Sequence, residues 1–363
     1  MSAPSARYGA PDLIAFATAL LTRAGLDSSI AHDVAAVLVE ADLLGHDTHG
    51  LQLLAVYLAD LGAGRLRPAG MPRILNERPV AASWDGQLLP GPWLVRRAID
   101  WAAPRAAQYG SASVVIQRSG HIACLAAYLE PVARAGLLIQ LASSSPGAAS
   151  VAPYGGTQAV FAPDPIAFGM PTSGDPILVD VSTSATTNGM SRRLHAAGCR
   201  GAHAWWMDAE GRATDDPAVL FAQPPGTILP LGGLDAGHKG YGLALAVEAL
   251  TGGLAGRDRA EPPRGSEAAV FLQIHDPAAF GGLTQFQAQL DQVVAACRAS
   301  APRDPGRPVR VPGERALQGK REQLAHGVSL RAGVLHALAP WAQQLQVPLP
   351  AALAEPAASL PGQ

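Results

Sequence analysis

A chain of 363 residues, 48% hydrophobic and 15% charged, exceeds one small domain and suits two lobes with cores of their own, since single cores rarely grow past roughly 250–300 residues. Its 27 basic and 29 acidic residues leave a formal charge of −2, which excludes a nucleic-acid or anionic-membrane footprint, and no run nears the roughly 18 apolar residues of a spanning helix. A small molecule is therefore the expected partner, while scattered Cys124, Cys199 and Cys297 and an N-terminus without an apolar signal core point to free thiols in the cytoplasm.

From Pro11 to Leu61 apolar residues recur at helical spacing: Leu13, Ile14, Ala17, Leu20 and Leu21, then Ile30, Val34, Val37 and Leu38. Gly25 is the stop between them and Asp27 or Ser28 the cap. A third helix starting near Thr48 or His49, capped by Asp47 or Thr48, aligns His49, Leu53 and Tyr57 on one face, with His46 a turn earlier. The crowding in "GHDTHG" admits helix-start chemistry with incidental histidines, proton transfer, or a metal. The metal is disfavoured and none is expected, because HxxH lacks a third ligand and the Glu of an HExxH helix, and neither His121 with Cys124 nor His195 with Cys199 has a further cluster beside it. Proton transfer suits a side chain whose ordinary pKa is about 6.5.

Pro92 opens a helix through Trp93, Val95, Ile99 and Trp101, and strand-like runs follow at 112–117, 137–142, 159–162, 176–182 and 268–274. Turn-rich loops separate several of these runs, which argues against strict β-α-β alternation and an all-parallel sheet. Helical patterns return over 241–254, 285–299, 313–327 and 333–345; 256–267 reads as a linker and 351–363 as a frayed tail. Within this middle stretch His121 stands in a turn after a strand, a position where loops carry function. Asp180, inside the apolar run "LVDVSTS", needs a partner or a strand end at a cleft, or else an edge position facing solvent. In "GGLDAGHKGYGLAL" the Gly-His-Lys-Gly set at a helix start suits a phosphate, against the alternative of a merely flexible start. There is no GxGxxG, so a dinucleotide would not be held by the Rossmann fingerprint.

Six segments, "ADLLGHDTHG", "SGHIAC", "VAPYGG", "DPIAFGMP", "LVDVSTS" and "GHKGYGLAL", resemble in that order the malate/L-lactate dehydrogenase-like NAD(P)-dependent oxidoreductases. That group includes sulfolactate, ureidoglycolate and diketogulonate enzymes and the piperideine/pyrroline-2-carboxylate imine reductases. The resemblance implies a non-Rossmann α+β fold and a homodimer. A largely antiparallel sheet in residues 81–284 would hold NADPH or NADH, and a helical lobe would form from both chain ends, residues 1–80 plus 285–363. It makes His49 the acid/base, with His121 and Asp180 beside it at the catalytic centre, and sets His46, Thr48, Leu53 and Tyr57 on the substrate side. Thr183, Ser184, His238, Lys239 and Gly240 correspond to cofactor contacts. Arg192, Arg193 and Arg200 are available to a 2′-phosphate, which favours NADPH.

The departures from the family pattern lie at the substrate end. The arginine that commonly follows the catalytic histidine by four residues is Leu53 here, and an isobutyl group cannot replace a bidentate grip on a carboxylate. Leu44 replaces a basic residue, Asp164 an asparagine, and Met190 a lysine after Gly189. These changes predict reduction of a C=O or C=N bond in a substrate less anionic near Leu53. Two alternatives are a 2-hydroxy acid dehydrogenase whose carboxylate anchor has moved to Arg192 or Arg193, and a non-catalytic cofactor-binding member. A metal-dependent hydrolase using His46 and His49 ranks behind both.

Overall fold

The computed structural model describes residues 6–257 and 266–353, so most of the 256–267 stretch and most of the 351–363 tail lie outside the described residues. The chain opens with β1 (Arg7–Tyr8), α1 (Ala10–Arg23) and α2 (Ser28–Leu43), then a short 3-10 turn, Leu51–Leu53, and α3 (Leu54–Gly62). Pro11 sits in the first turn of α1, where its missing N–H costs nothing, and Leu13, Phe16, Ala17, Leu20 and Leu21 form the buried stripe. Asp27 caps α2 by accepting from the Ser29 and Ile30 amides.

The middle carries β2 (Arg73–Arg78), β3 (Ala81–Asp85), α4 (Gly91–Tyr109), β4 (Ser111–Ser119), α5 (Leu129–Arg134), β5 (Leu138–Ser144), β6 (Ile166–Met170), β7 (Ile177–Val181) and α6 (Asn188–Ala196). Short strands β8 (Trp206–Met207), β9 (Ala213–Thr214) and β10 (Thr227–Ile228) precede α7 (Gly233–Glu248) and β11 (Ala268–His275). The chain closes with α8 (Leu283–Ala299), α9 (Glu314–His326), β12 (Val328–Ser329) and α10 (Val334–Gln344).

The result is a mixed α+β molecule around a seven-stranded sheet of order β2-β3-β4-β11-β5-β6-β7. Only β3 and β4, joined through α4, run parallel; the other neighbours are antiparallel. Period-two alternation sorts the central strands between two layers. Val114, Ile116, Ile139, Leu141, Val270, Leu272 and Ile274 join the main core with α1, α2 and α4, while Val115, Ala142 and Phe271 face Val247 and Ala255 on the other side. The chain ends meet: β1 pairs with β12, and Lys320 of α9 ties Glu40 of α2 to Glu130 of α5 at 2.5 and 2.8 Å.

One expected strand is absent. Phe161 makes only an isolated bridge to Val151, and the strand lies at β6 instead. Pro163 and Pro165 bracket Asp164, whose φ of +42° turns the chain, so ladder pairing starts only after them.

Candidate active site

The site starts where α2 stops. Gly45, at φ +81°, donates to Asp42 O, and His46 N–H reaches Ala41 O at 2.8 Å, closing the helix with a left-handed residue that only glycine adopts without strain. The chain then turns through 46–49, with His49 N–H on His46 O at 2.8 Å. The expected third helix therefore begins later than its apolar spacing suggests. His49 precedes it and does not share a helical face with Leu53 and Tyr57, and neither Asp47 nor Thr48 is its cap. The capping acceptor is Asp42, whose Oδ2 takes the Leu51 N–H at 2.8 Å from inside the core. Asp42 also explains Gly50, since a Cβ there would sit 2.1 Å from its Oδ1. Periodicity gives no sign of this carboxylate, which stands among the buried residues of α2.

The turn brings His49 to His121 and Tyr57, which the sequence keeps far apart. The two imidazoles are near-parallel, at 18° with centroids 6.0 Å apart. Thr48 Oγ1 bonds His49 Nδ1 at 2.8 Å. His121 Nδ1 accepts the Ala123 N–H at 3.1 Å, which places its ring proton on Nε2 in the neutral form. Buried Tyr57 lies 3.1 Å from that same Nδ1 and donates to His121 O at 2.9 Å. Desolvation, helped by the nearby His49, lowers the His121 pKa to about 4. Burial also lowers His49, with the Asp180 carboxylate pulling the other way, and holds the Tyr57 hydroxyl neutral well past its usual range.

Asp180 lies on β7, the sheet edge, half-buried rather than facing open solvent. Its Oδ2 accepts the Ala126 N–H at 2.8 Å and the Cys124 thiol at 3.6 Å. Contrary to the expectation that Cys124 stands without a cluster, His46, Cys124 and Asp180 converge. His195 and Cys199 form no such group: His195 stacks on Phe221, and Cys199 is exposed. Leu53 ends the 3-10 turn, half-buried against the main core. From the far side α6, capped by Thr187, reaches the turn: Gly189 lies beside Thr48, and Arg193 pairs with both Asp47 oxygens at 3.1 and 3.2 Å.

The other expected contacts sit along the path from β7 to α7. Thr183 and Ser184 are almost fully buried, and their hydroxyls donate to Pro163 O at 3.0 Å and Thr186 O at 2.7 Å. Their backbone pairs with Leu231 and Pro230. His238, Lys239 and Gly240 occupy the second turn of α7 rather than its start, which lies at Gly233. The cause is the φ of +100° at Gly232, which lets the helix begin a turn earlier. Gly240 is forced by close approach, as its Cβ would meet Leu231 N at 2.4 Å and Thr183 O at 2.7 Å. Lys239 is exposed and makes no ion pair among the described residues, and the same holds for Arg192. Arg200 is committed to Asp215 and Asp216.

Similarity to known proteins extends along nearly the whole chain. Residues 9–339 match the malate/L-lactate dehydrogenase family. An L-lactate dehydrogenase of Cupriavidus necator is 30% identical over 359 residues, covering 97% of this chain and 99% of its own. A Delta(1)-pyrroline-2-carboxylate reductase of Ancylobacter novellus is 31% identical over 337 residues, 88% of this chain and 94% of its own. The solved structure of malate dehydrogenase from Pyrococcus horikoshii superposes with a TM-score of 0.84 at 27% identity, covering 96% of this chain and 97% of that one.

Proposed function

The chain belongs to the malate/L-lactate dehydrogenase family and is an oxidoreductase; from that premise we propose that it moves hydride between NADPH or NADH and the carbon of a C=O or C=N bond, with His49 exchanging the proton. The observation that carries this reading is the fixed pair of imidazoles, one held by Thr48 and one held by Ala123 and Tyr57 and kept neutral by its burial. The cofactor, when bound, supplies or accepts the hydride. His49, with Nδ1 engaged by Thr48, presents Nε2 to the substrate heteroatom as charge develops there, an effect worth about 10²–10⁴-fold in rate. His121, neutral with its proton on Nε2, offers a second donor to the same heteroatom. Asp180 favours the charged form of His49 by opposing its desolvation.

The chain's own residues fit a dinucleotide. Exposed Lys239 offers a cation to a diphosphate and Arg192 one to a 2′-phosphate, which favours NADPH; Thr183 and Ser184, their hydroxyls and backbone already paired, contribute shape. Antiparallel pairing up to β7 supports a non-Rossmann cofactor unit in residues 81–284, and the meeting of the chain ends supports a helical lobe from residues 1–80 and 285–363. A homodimer suits the exposed Leu234, Leu243 and Leu245 of α7, and a cytoplasmic location suits three free thiols. No described helix is long and apolar enough to cross a membrane.

Leu53 supports a substrate that is apolar or uncharged beside the 3-10 turn, such as a cyclic imine or a neutral ketone. A second reading has one specific observation behind it: Arg193, held by Asp47 two residues before His49, is placed to take over a carboxylate, which restores 2-oxo and 2-hydroxy acids. Absorbance loss of NADPH and NADH against 2-oxo acids, cyclic imines and neutral ketones separates the two. His49→Ala is expected to lose at least a hundredfold in kcat with cofactor binding intact; unchanged turnover would overturn the acid–base role.

A further inference from the structure

His46, Cys124 and Asp180 come from three separate elements, the turn after α2, the loop before α5 and the edge strand β7, and Cys124 has no part in the proposed hydride transfer. One ligand atom from each, an imidazole nitrogen, Sγ and a carboxylate oxygen, lie within 4.8 Å of one another. We propose that these three residues form an inhibitory site for a thiophilic divalent cation, with Zn2+ as its representative. Sulfur, nitrogen and oxygen donors together suit zinc-like ions, whereas Mg2+ and Ca2+ demand six or more oxygens, of which this site has too few.

The geometry is close to what such an ion needs. Zinc–ligand bonds of about 2.0–2.3 Å set tetrahedral ligand atoms roughly 3.3–3.7 Å apart, and Cys124 Sγ already lies 3.6 Å from Asp180 Oδ2. The His46 nitrogen must close by about 1.5 Å at most, and its ring makes no hydrogen bond among the described residues that would resist the movement. The Ala126 N–H on Asp180 supplies the outer hydrogen bond that orients a ligating carboxylate. On binding, the Cys124 S–H bond breaks, its proton leaves to solvent and an S–metal bond forms, with no change of oxidation state. The bound ion ties the turn carrying His49 to β7 and adds positive charge beside the proton-transfer site. The binding stands apart from the acid–base role of His49; the inhibition rests on it.

Co2+ serves as the spectroscopic probe. Titrated into the full-length protein, it is expected to give a near-ultraviolet thiolate-to-cobalt band that Zn2+ erases. Cys124→Ala is expected to abolish the band and weaken Zn2+ binding at least tenfold, since even outer-shell partners are worth 10–100-fold. Cys124→Ser, which keeps a hydroxyl donor for Asp180, repeats the test should the alanine variant misfold. A Cys199→Ser, Cys297→Ser double variant should keep the band. Zn2+ should inhibit the wild type, Mg2+ should not, and Cys124→Ala should turn over normally and need at least ten times more Zn2+. No band in the wild type, a band surviving in Cys124→Ala or Cys124→Ser, or a smaller shift overturns the site. A Cys124-dependent band without inhibition keeps the site and overturns its inhibitory role.

Discussion

Replacing Asp42 by asparagine tests the buried carboxylate beneath the proposed catalytic turn. Asp42 is 7% exposed, and burial raises its pKa from 3.8 to about 7, against the lowering effect of the Leu51 N–H and with Asp47 adding to the rise. The unfolded chain loses this proton near 3.8 and the folded chain near 7, so across that window the folded state binds more protons. Stability therefore falls as pH rises from about 4 to 7 and is flat beyond. A span of about three pH units at about 1.36 kcal/mol each sets a ceiling of roughly 4 kcal/mol on the loss. Asparagine retains an acceptor for Leu51 N–H and carries no charge to desolvate. Denaturant midpoints measured from about pH 4 to 8 should show the variant near the wild type in acid and more stable, by roughly 1–4 kcal/mol, above pH 7. Comparing the two proteins cancels other buried groups such as Glu40, whose pKa is raised by its own burial. A difference independent of pH would refute the argument, because only titration of Asp42 can make it pH-dependent.

His121→Ala removes the acceptor of the Ala123 amide and a partner of Tyr57, at a cost of about 2–4 kcal/mol. With its pKa lowered to about 4, His121 contributes stability that is present above the unfolded value of 6.5 and is lost as pH falls toward 4. That acid-side loss should vanish in the variant's melting curves. Gly50→Ala sets a methyl against the enclosed Asp42 carboxylate and should lower the melting temperature, costing about 1–3 kcal/mol or more. Asp47→Ala and Arg193→Ala, both partly exposed, should couple by only about 0.2–1 kcal/mol in a double-mutant stability cycle. If Arg193 grips substrate, its loss should raise KM for 2-oxo acids at least tenfold while sparing neutral ketones, and equal effects on both would end that reading.

The family and much of the fold are legible in the order and spacing of the residues. The helices of the first forty residues, the central strands at 112–117, 137–142 and 268–274, and the order of six short motifs all survive folding. These signals are local: apolar periodicity, capping residues and side-chain types act through neighbours a few positions away. The third helix starts later than its periodicity predicts because a 3-10 turn precedes it, held from the core by Asp42, nine residues upstream of its partner amide on Leu51. The strand expected at 159–162 does not form because its apolar run ends at two prolines that block a ladder.

Residue types and motif order determined that this chain is an oxidoreductase of its family, and that His49, His121 and Asp180 are the residues to watch. Only the tertiary structure decided how they meet. The parallel-ringed histidines, the tethering of Arg193 to Asp47 and the convergence of His46, Cys124 and Asp180 depend on segments tens to more than a hundred residues apart, and burial with His49 nearby keeps His121 neutral. Contacts of that kind are set by how the elements pack at the sheet edge and by the burial of the two histidines, and neither leaves a periodic trace in the sequence.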